Sequence, residues 1–418
     1  MSEWREVVLG DIAEVQSGYA FKSADWTDSG VPVVKIQNVR DGAVSLKGCS
    51  FVDATVASRA SRYRLRSGDV LITMSGEIGS IGVFRSSEHA LQNQRVGRLK
   101  FYEDDPTLSD FVAFSLQRPQ LKLDMESIAH GVAQANISPS TLEALQIPFP
   151  PSNHRAAVVG VLRSIDDLIE NNRRRVELLE EMARAVYREW FVHFRYPGHE
   201  DIPLVDSELG SIPQGWEVKA FSDIATFLNG YAFKPADWSG FGRPIIKIKQ
   251  LKAGVSADTP RCEESEIDEK YWVARGDLLF SWSADLGVYR WSDEPGLLNQ
   301  HLFRVHPKGD LGIAFLHHSL DVAMPRFRDR AQGTTMRHIK RSALSEVTTA
   351  VPPTQVAQLF WETVEPMSSE VSALRWSNSN LTELRDMLLP RLVSGRIDVS
   401  DLDLDLDLDL DLAEEGAA

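Results

Sequence analysis

The sequence predicts two copies of one α/β (α+β) domain that alternate with two long helices. The first observation is a repeat, because GYAFK at residues 18–22 recurs at residues 230–234, which is 212 residues later. Of the 39 residues between Trp4 and Gly42, 17 are identical to the aligned residues of the second copy. The second observation is a stretch of helical character after each copy. A repeat of half the chain is typical of duplicated domains and not of a solenoid.

Residues 1–151 form the first predicted domain. Two β-rich runs, Val31–Ile36 and Asp69–Met74, are bounded by glycine and proline. The apolar side of Asp110–Leu123 predicts one helix.

Landmarks of this first domain recur in the second copy at offsets that shrink from 208 to 202. They are Gly68-Asp69, Asn93-Gln94 and Pro150-Pro151. The segments between them differ, and residues 47–66 share almost nothing with residues 256–274. We therefore expect one scaffold that presents two different recognition surfaces.

Residues 152–195 predict the first long helix. No proline interrupts the stretch up to His193, and its apolar residues follow a 3-4 spacing that indicates a coiled-coil seam. At 1.5 Å per residue, about 40 residues would form a rod of about 60 Å. An amphipathic helix that packs on one domain is the alternative. The predicted seam consists of Val158, Val161, Ile165, Leu168, Asn172, Leu179, Met182 and Val186.

Residues 196–353 predict a linker followed by the second domain, and residues 354–400 predict a second helical region that Pro366 interrupts. Two domains that alternate with two long helices can be arranged simply. The helices pair as an antiparallel coiled coil, and the chain acquires pseudo-two-fold symmetry. The second seam is marked by Val371, Leu374, Asn378, Leu381 and Leu388.

Asn172 and Asn378 occupy equivalent seam positions, 206 residues apart. A buried asparagine in a seam fixes helix register, and we expect this role for both residues, with solvent exposure as the alternative. The chain ends in residues 401–418, an acidic Asp-Leu repeat. We expect this tail to be disordered because its aspartates repel one another.

The net charge of −15 argues against a chain that binds nucleic acid unaided. The tail carries −8, which leaves −7 on the first 400 residues, so DNA contacts must come from local basic patches. The sequence has neither a signal peptide nor an apolar run of the roughly 20 residues that a membrane span needs. Its two cysteines, Cys49 and Cys262, indicate neither a disulfide nor a zinc site. These features predict a cytoplasmic protein.

Catalytic signatures are missing from the sequence. It has no GxxxxGK[ST] phosphate loop, and the FPPS and VPPT segments lack the amide or acid and the aromatic residue of an amino-methyltransferase motif. Asp268-Glu269-Lys270 lacks the upstream carboxylate of a nuclease motif. His317-His318 lacks a third ligand at metal-binding spacing. We therefore predict no catalytic residue and no metal site.

Candidate DNA-binding residues cluster near the landmarks. Amide and arginine side chains read base edges, whereas lysine, arginine and threonine hold phosphates. For any single residue, a solvated surface charge is the alternative. The candidates in the first copy are Lys22, Arg59, Arg62, Arg64, Arg66, Asn93, Gln94, Arg95, Gln134 and Asn136. Those in the second copy are Lys234, Lys247, Lys249, Lys252, Asn299, Gln300, His301, Thr334, Thr335, Arg337, His338 and Lys340.

The order of these motifs resembles that of the specificity subunits of type I restriction-modification systems. The resemblance covers nearly all of residues 4–400. It rests on GxAFKS, GDxL, Asn93-Gln94, the approach to the first long helix and the segments that close both helices. Pro235 replaces the serine that is usual in the family.

This resemblance implies two target-recognition domains, each of which reads half of a gapped double-stranded DNA site. The paired helices would set the gap and dock two methyltransferase (modification) subunits. Those subunits would carry S-adenosylmethionine and methylate one adenine in each half-site. Restriction (motor-nuclease) subunits that use ATP and magnesium would join the complex to cleave unmodified DNA.

The chain itself would then be non-catalytic and hold no cofactor. Two alternatives remain open at this point. One is a sequence-specific regulator or phage-defence adaptor built on the same scaffold. The other is an enzyme with an unfamiliar active site.

Overall fold

The computed structural model describes residues 4–40, 42–129, 136–263, 265, 267–332 and 338–399. The chain divides into two compact units. The first unit contains Met1–Asp167 and Glu383–Ala418, and the second contains Leu168–Thr382. Each unit combines one α/β domain with segments of two long helices.

The first α/β domain is built on two sheets. Its strands are β1 (Arg5–Val8), β2 (Ala13–Ser17), β3 (Trp26–Thr27), β4 (Val31–Val34), β5 (Val39–Arg40), β6 (Gly42–Val44), β7 (Ser50–Val52), β8 (Val70–Thr73), β9 (Ile81–Val83), β10 (Leu91–Gln92), β11 (Val96–Phe101) and β12 (Gln146–Phe149). Its helices are α1 (Ala54–Arg59), α2 (Pro106–Leu116), α3 (Pro119–Ala129) and α4 (Pro139–Glu143). One sheet has the order β2-β11-β8-β9-β6-β5 and the other β10-β4-β7-β3, while β1 pairs with β12.

The single helix predicted over Asp110–Leu123 is wrong. The structure has two helices there, α2 and α3, and the second begins at Pro119. Proline has no N–H and clashes with the preceding turn of a helix, but it is well suited to a first turn. Pro119 therefore ends one helix and starts the next.

The first long helix, α5, spans Ser152–Phe191. The second domain then repeats the two-sheet pattern, with the orders β16-β23-β20-β21 and β18-β17-β22-β19. Its strands are β13 (Leu204–Ser207), β14 (Gly210–Pro213), β15 (Glu217–Ala220), β16 (Ala225–Asn229), β17 (Arg243–Ile246), β18 (Arg261–Cys262), β19 (Trp272–Val273), β20 (Leu278–Ser281), β21 (Gly287–Arg290), β22 (Gly296–Leu298), β23 (Leu302–Pro307) and β24 (Thr348–Val351). Its helices are α6 (Phe221–Ile224), α7 (Ile248–Ala253), α8 (Ile313–Asp329) and α9 (Ala343–Glu346), and α10 (Thr354–Leu392) is the second long helix.

Pro366 does not interrupt α10, so that prediction is wrong. The helix runs through 39 residues with Pro366 inside it. A proline removes one backbone hydrogen bond from the helix. The helical turns on both sides of Pro366 are stabilised by buried side chains. Phe360 and Val364 lie in the core of the second unit just before Pro366, and Val371 and Leu374 are buried after it.

The antiparallel pairing of the two long helices is confirmed within each unit. In the second unit Arg175 pairs with Glu370 at 2.7 Å, and Arg375 pairs with Glu180 at 2.6 Å. In the first unit Arg385 pairs with Asp166 at 3.1 Å. The order of contacts along the second unit shows the direction. Asn172 lies beside Asn378 and Tyr187 lies beside Phe360, so the residue numbers rise along one helix as they fall along the other, as antiparallel packing requires.

The predicted seam of α5 is wrong at Leu168 and Met182, which are 47% and 52% exposed. The buried residues instead repeat every seven positions, as a coiled coil requires. Because Ala183 is small, the larger Met182 was the more conspicuous choice in the sequence. Because Ile169, Val176 and Ala183 replace Leu168, Arg175 and Met182 as the buried positions, Arg175 no longer interrupts the seam. The buried positions are Leu162, Ile169, Val176 and Ala183, with Asn172 between them.

Both long helices also belong to the domain cores. Tyr187, Phe191 and Phe360 join the main core of the second unit beside Phe315. In the first unit the end of α10 packs on the start of α5 and on α2. That cluster contains Phe111, Phe114, Val158, Leu162, Leu389, Leu392 and Val393.

Candidate nucleic-acid interface

The repeat motif and the Asn-Gln landmark form one interlocked structure in each unit. A Cβ atom on Gly18 would lie 2.4 Å from the carbonyl oxygens of Gln92 and Asn93, and one on Gly230 would lie 2.2 Å from that of Asn299. Only glycine permits so close an approach of two backbones. The contact explains why both motifs recur together in both copies.

Backbone hydrogen bonds complete this interlock. The Tyr19 N–H donates to the Gln92 carbonyl at 2.9 Å, and the Gln94 N–H donates to the Tyr19 carbonyl at 3.0 Å. Tyr231 forms the same pair of bonds with Leu298 and Gln300, at 2.8 and 2.9 Å. Each repeat is thereby held against the turn that follows the neighbouring strand.

The landmark asparagines are largely engaged in their own turns. The Asn93 Oδ1 accepts from the Arg95 N–H at 3.2 Å, and the Asn299 Oδ1 accepts from the His301 N–H at 3.3 Å. Both asparagines are buried, whereas Gln94, Gln300 and His301 are half-buried. The landmark therefore places its following residues at the surface rather than its asparagine.

An aromatic surface surrounds each repeat. The ring of Tyr19 lies 4.9 Å from Phe21 and 5.7 Å from Tyr63, measured between centroids. Tyr231 lies 5.0 Å from Phe233 and 5.6 Å from Tyr271. The sequence comparison missed the equivalence of Tyr63 and Tyr271, because these tyrosines lie in segments that otherwise share almost nothing.

Lys22 and Lys234 lie exposed at the edge of these aromatic surfaces. Their backbone N–H groups donate to Asp25 at 2.7 Å and to Asp237 at 2.6 Å. The turn has the same geometry in both copies although Pro235 replaces serine. Neither lysine ammonium group forms a hydrogen bond or an ion pair with the described part of the chain, so both are available to an anion.

The first unit presents a basic edge beside Tyr63. Arg62, Arg64 and Arg66 are exposed, and their side chains form no hydrogen bond or ion pair with the described part of the chain. Arg59 instead pairs with Asp25 at 3.2 Å. Three arginines are therefore free to meet a phosphate backbone.

A buried arginine, Arg98, holds this basic edge in place. It is only 7% exposed, and it donates to the carbonyls of Arg64 at 2.8 Å and Arg62 at 3.4 Å. It also donates to Asp69 at 3.1 Å and to Gln16 at 2.7 Å. Arg304, which is half-buried, makes equivalent contacts in the second unit, with the Trp272 carbonyl and Asp277. The Gly-Asp landmark thus supplies the partner of a buried cation.

The lysines predicted in the second unit are more strongly compensated. Lys247 lies over the Trp238 ring, 4.6 Å from its centroid. Lys249 pairs with Asp258 at 2.6 Å, and its hydrogen bond lowers the pKa of Asp258 to about 2. Lys252 pairs with Asp285, and that hydrogen bond raises the pKa of Lys252.

The remaining predicted residues fall into three groups. Arg95, Asn136 and Lys340 are exposed, and His338 is half-buried. Gln134, Thr334, Thr335 and Arg337 lie outside the described residues.

A cleft of about 410 Å³ in the second unit was not predicted from the sequence. Lys308 and Arg341 line it together with the hydroxyl-bearing Ser222, Thr226, Ser342 and Ser345. Two cations and several hydroxyls suit an anion such as a DNA phosphate. At the corresponding place in the first unit, Glu143 accepts a hydrogen bond from the Val15 N–H at 2.8 Å.

Within the described ranges, no group of three or more His, Cys, Asp or Glu side chains could hold a metal ion. In the same part of the chain, no helix is both long and apolar enough to cross a membrane.

Comparison with known proteins decides the family. The family model for the type I restriction modification DNA specificity domain matches residues 1–181 and 213–375. The chain belongs to this family. It is a specificity subunit and not the catalytic component, and its family role is DNA sequence specificity within a type I restriction-modification complex.

Individual relatives span most of the chain. The MjaIX specificity subunit of Methanocaldococcus jannaschii is 23% identical over 350 residues, which cover 80% of this chain and 79% of that protein. The HindI specificity subunit of Haemophilus influenzae is 22% identical, over 95% of this chain and 100% of its own length. The crystal structure of the S subunit from M. genitalium matches with a TM-score of 0.59 at 15% identity, covering 94% of this chain and 96% of that chain. That structural likeness confirms the predicted fold class.

Proposed function

We propose that each unit of this specificity subunit reads one half of a two-part, gapped DNA site. The observation that carries the proposal is the interlocked glycine and Asn-Gln frame, which is the same in both units but bears different side chains around it. A shared backbone frame that bears different side chains in the two units suits the recognition of two different half-sites. Residues 1–151 and 196–353 would be the target-recognition domains.

The paired helices, residues 152–195 and 354–400, would set the distance between half-sites. The Asn172 Nδ2 donates to the Asn378 Oδ1 at 2.9 Å, and the Asn378 Nδ2 donates to the Ile169 carbonyl at 3.1 Å. A register slipped by one heptad would leave the buried Asn172 amide and the half-buried Asn378 amide without these partners. The asparagine pair therefore supports a fixed helix register, and with it a fixed gap.

The helices would also dock two modification subunits, which carry S-adenosylmethionine and methylate adenine. Leu178 and Leu384 support this part of the proposal. They are 60% and 40% exposed and lie six residues beyond Asn172 and Asn378, at equivalent positions of the two helices. Two equivalent exposed leucines suit two copies of one partner. Restriction subunits with ATP and magnesium would join the same complex to cleave unmodified DNA.

Replacing Leu178 or Leu384 with glutamate is expected to remove one modification subunit, and the double variant is expected to bind neither. A buried charge at the centre of an apolar contact costs more than the contact contributes. Native mass spectrometry of the co-expressed complex measures the stoichiometry. Leu123→Glu, at an exposed leucine of α3 in the recognition domain, is the control and should leave two subunits bound. Two bound subunits in the Leu178→Glu/Leu384→Glu variant would contradict docking at these positions.

Replacing Arg62, Arg64 and Arg66 together with alanine is expected to weaken DNA binding by the complex and to flatten its salt dependence. If each arginine neutralises one phosphate, the slope of log K against log salt concentration should fall by about 2.7. Fluorescence anisotropy with a labelled duplex at several salt concentrations measures this slope. A Lys100→Ala/Lys122→Ala variant of the same unit is the control. An unchanged slope in the triple variant would remove the basic edge from the interface.

A further inference from the structure

Three variable positions meet beside the interlocked frame in each unit. We name them the edge triad. Met74, Arg95 and Asn136 form the triad of the first unit, and Trp282, His301 and His338 form that of the second. Each triad comes from three separate segments of its domain.

Backbone contacts establish that the two triads are equivalent. The Ile137 N–H donates to the Met74 carbonyl at 2.9 Å, and the Ile339 N–H donates to the Trp282 carbonyl at 2.8 Å. The bridge between Ser75 and Asn136 recurs between Ser283 and His338. The third member lies close by, because the Met74 N–H donates to the Arg95 carbonyl at 3.0 Å and the Trp282 and His301 rings lie 5.9 Å apart.

Some of the buried polar atoms that lack a partner among the described residues lie in these triads or next to them in the sequence. In the first unit the Ser75 Oγ and the Gln94 Oε1 are buried and form no hydrogen bond with the described residues. In the second unit the Trp282 Nε1 and the His301 Nδ1 are likewise buried and form no hydrogen bond with the described residues. A buried polar atom without a partner destabilises the free protein, and such atoms persist where a ligand supplies the missing partner.

Backbone strain marks the same place in the second unit. Ala284 has a φ of 59°, in the left-handed region that disfavours a side chain, whereas the first unit has Gly76 there with a φ of 71°. Strained residues of this kind gather at ligand sites, where the surrounding structure enforces them.

We propose that the exposed and half-buried members of the edge triads are direct-readout positions, which select the bases of the two half-sites, whereas Met74 is buried in the core of the first unit. This inference rests on the proposed function of the two units. Arg95 presents a guanidinium that fits the O6 and N7 acceptors of guanine, and Asn136 presents an amide that fits adenine. Trp282 instead holds a buried indole N–H, a donor that lacks an acceptor among the described residues and that a base edge would supply. The frame stays constant while the triad changes the preferred base.

Two variants of the second unit test the proposal in the purified complex with its modification subunits. Trp282→Phe keeps an aromatic ring, although a smaller one, and removes the N–H donor. His301→Arg/His338→Asn gives the second unit two side chains of the first triad. Each complex selects from a double-stranded DNA library randomised over both half-sites, and sequencing of the bound DNA gives the base preference at each position. His306→Arg is the control. His306 lies on β23, the strand that begins directly after His301, but it is not part of the triad.

We expect each variant to lose about tenfold of its base preference, or to change the preferred base, at positions of the second half-site alone. The first half-site and the His306→Arg profile should match those of the wild type. Wild-type preferences in both variants, or equal changes in both half-sites, would overturn this inference. Loss of all DNA selection by both variants, with the unfolding temperature of the wild type retained, would also overturn it. A substitution at a direct-readout position should alter which base is preferred and should not abolish selection at every position. If the wild-type complex selects no two-part sequence, the proposed function fails instead.

Discussion

Replacing Arg98 with methionine is expected to lower the free energy of unfolding of the first unit by about 3 kcal/mol, because Asp69 and Gln16 lose their buried partner. The same change frees the carbonyls of Arg62 and Arg64, so the basic edge loses its support. Recognition of one half-site should therefore fail while the other half-site is still read. Urea unfolding measures the stability, and selection from a randomised DNA library measures the recognition.

The matched control is Lys100→Met, which makes the same kind of charge change two residues further along β11. No ion pair or hydrogen bond joins Lys100 to the described part of the chain, so we expect less than about 0.5 kcal/mol of change. Equal effects of Arg98→Met and Lys100→Met would show that the buried arginine does not organise the basic edge.

Replacing Gly230 with alanine is expected to destabilise the second unit by about 3 kcal/mol and to disable its half of DNA recognition. The new Cβ would lie 2.2 Å from the Asn299 carbonyl oxygen and 2.6 Å from that of Leu298, and backbone atoms cannot move aside as a flexible side chain can. The interlock must open by more than an ångström to relieve these contacts. Opening would displace Tyr231 and the Gln300 turn together.

Gly240→Ala is the matched control, because a Cβ atom at Gly240 meets nothing within 4 Å. Gly240 lies ten residues further along the same domain, so the two variants differ in the space that their Cβ atoms enter. Unfolding by urea, followed by Trp fluorescence, compares them. If Gly230→Ala unfolds at the same urea concentration as Gly240→Ala, the interlock is not the rigid frame described above.

The duplication made the fold predictable from one sequence. Matching landmarks placed both α/β domains and both long helices, since frame residues such as Gly18 and Asp69 must recur wherever the same backbone contacts recur. Local details failed where the sequence pattern was ambiguous. Pro119 starts a helix and Pro366 lies within one, and residue type alone does not separate these contexts.

The candidate site was predictable only in outline. Several of the predicted basic and amide residues lie beside the interlocked frame of each unit, but Asn93 and Asn299 mostly support their own turns. Arg98 was missed because a buried arginine cannot be told from a surface one without knowing which face of β11 is inside. Trp282 and Ser75 were missed because the lack of a hydrogen-bond partner is a property of the folded chain alone.

Modified-base sequencing of host DNA, with this gene present and with it deleted, tests the central claim most directly. The account predicts a two-part, gapped adenine-methylation motif that disappears on deletion and returns with the wild-type gene. The Gly230→Ala gene should fail to restore it, while the Gly240→Ala gene should succeed. An unchanged methylation pattern after deletion, in a host whose modification subunit is expressed, would contradict the claim that this chain directs methylation.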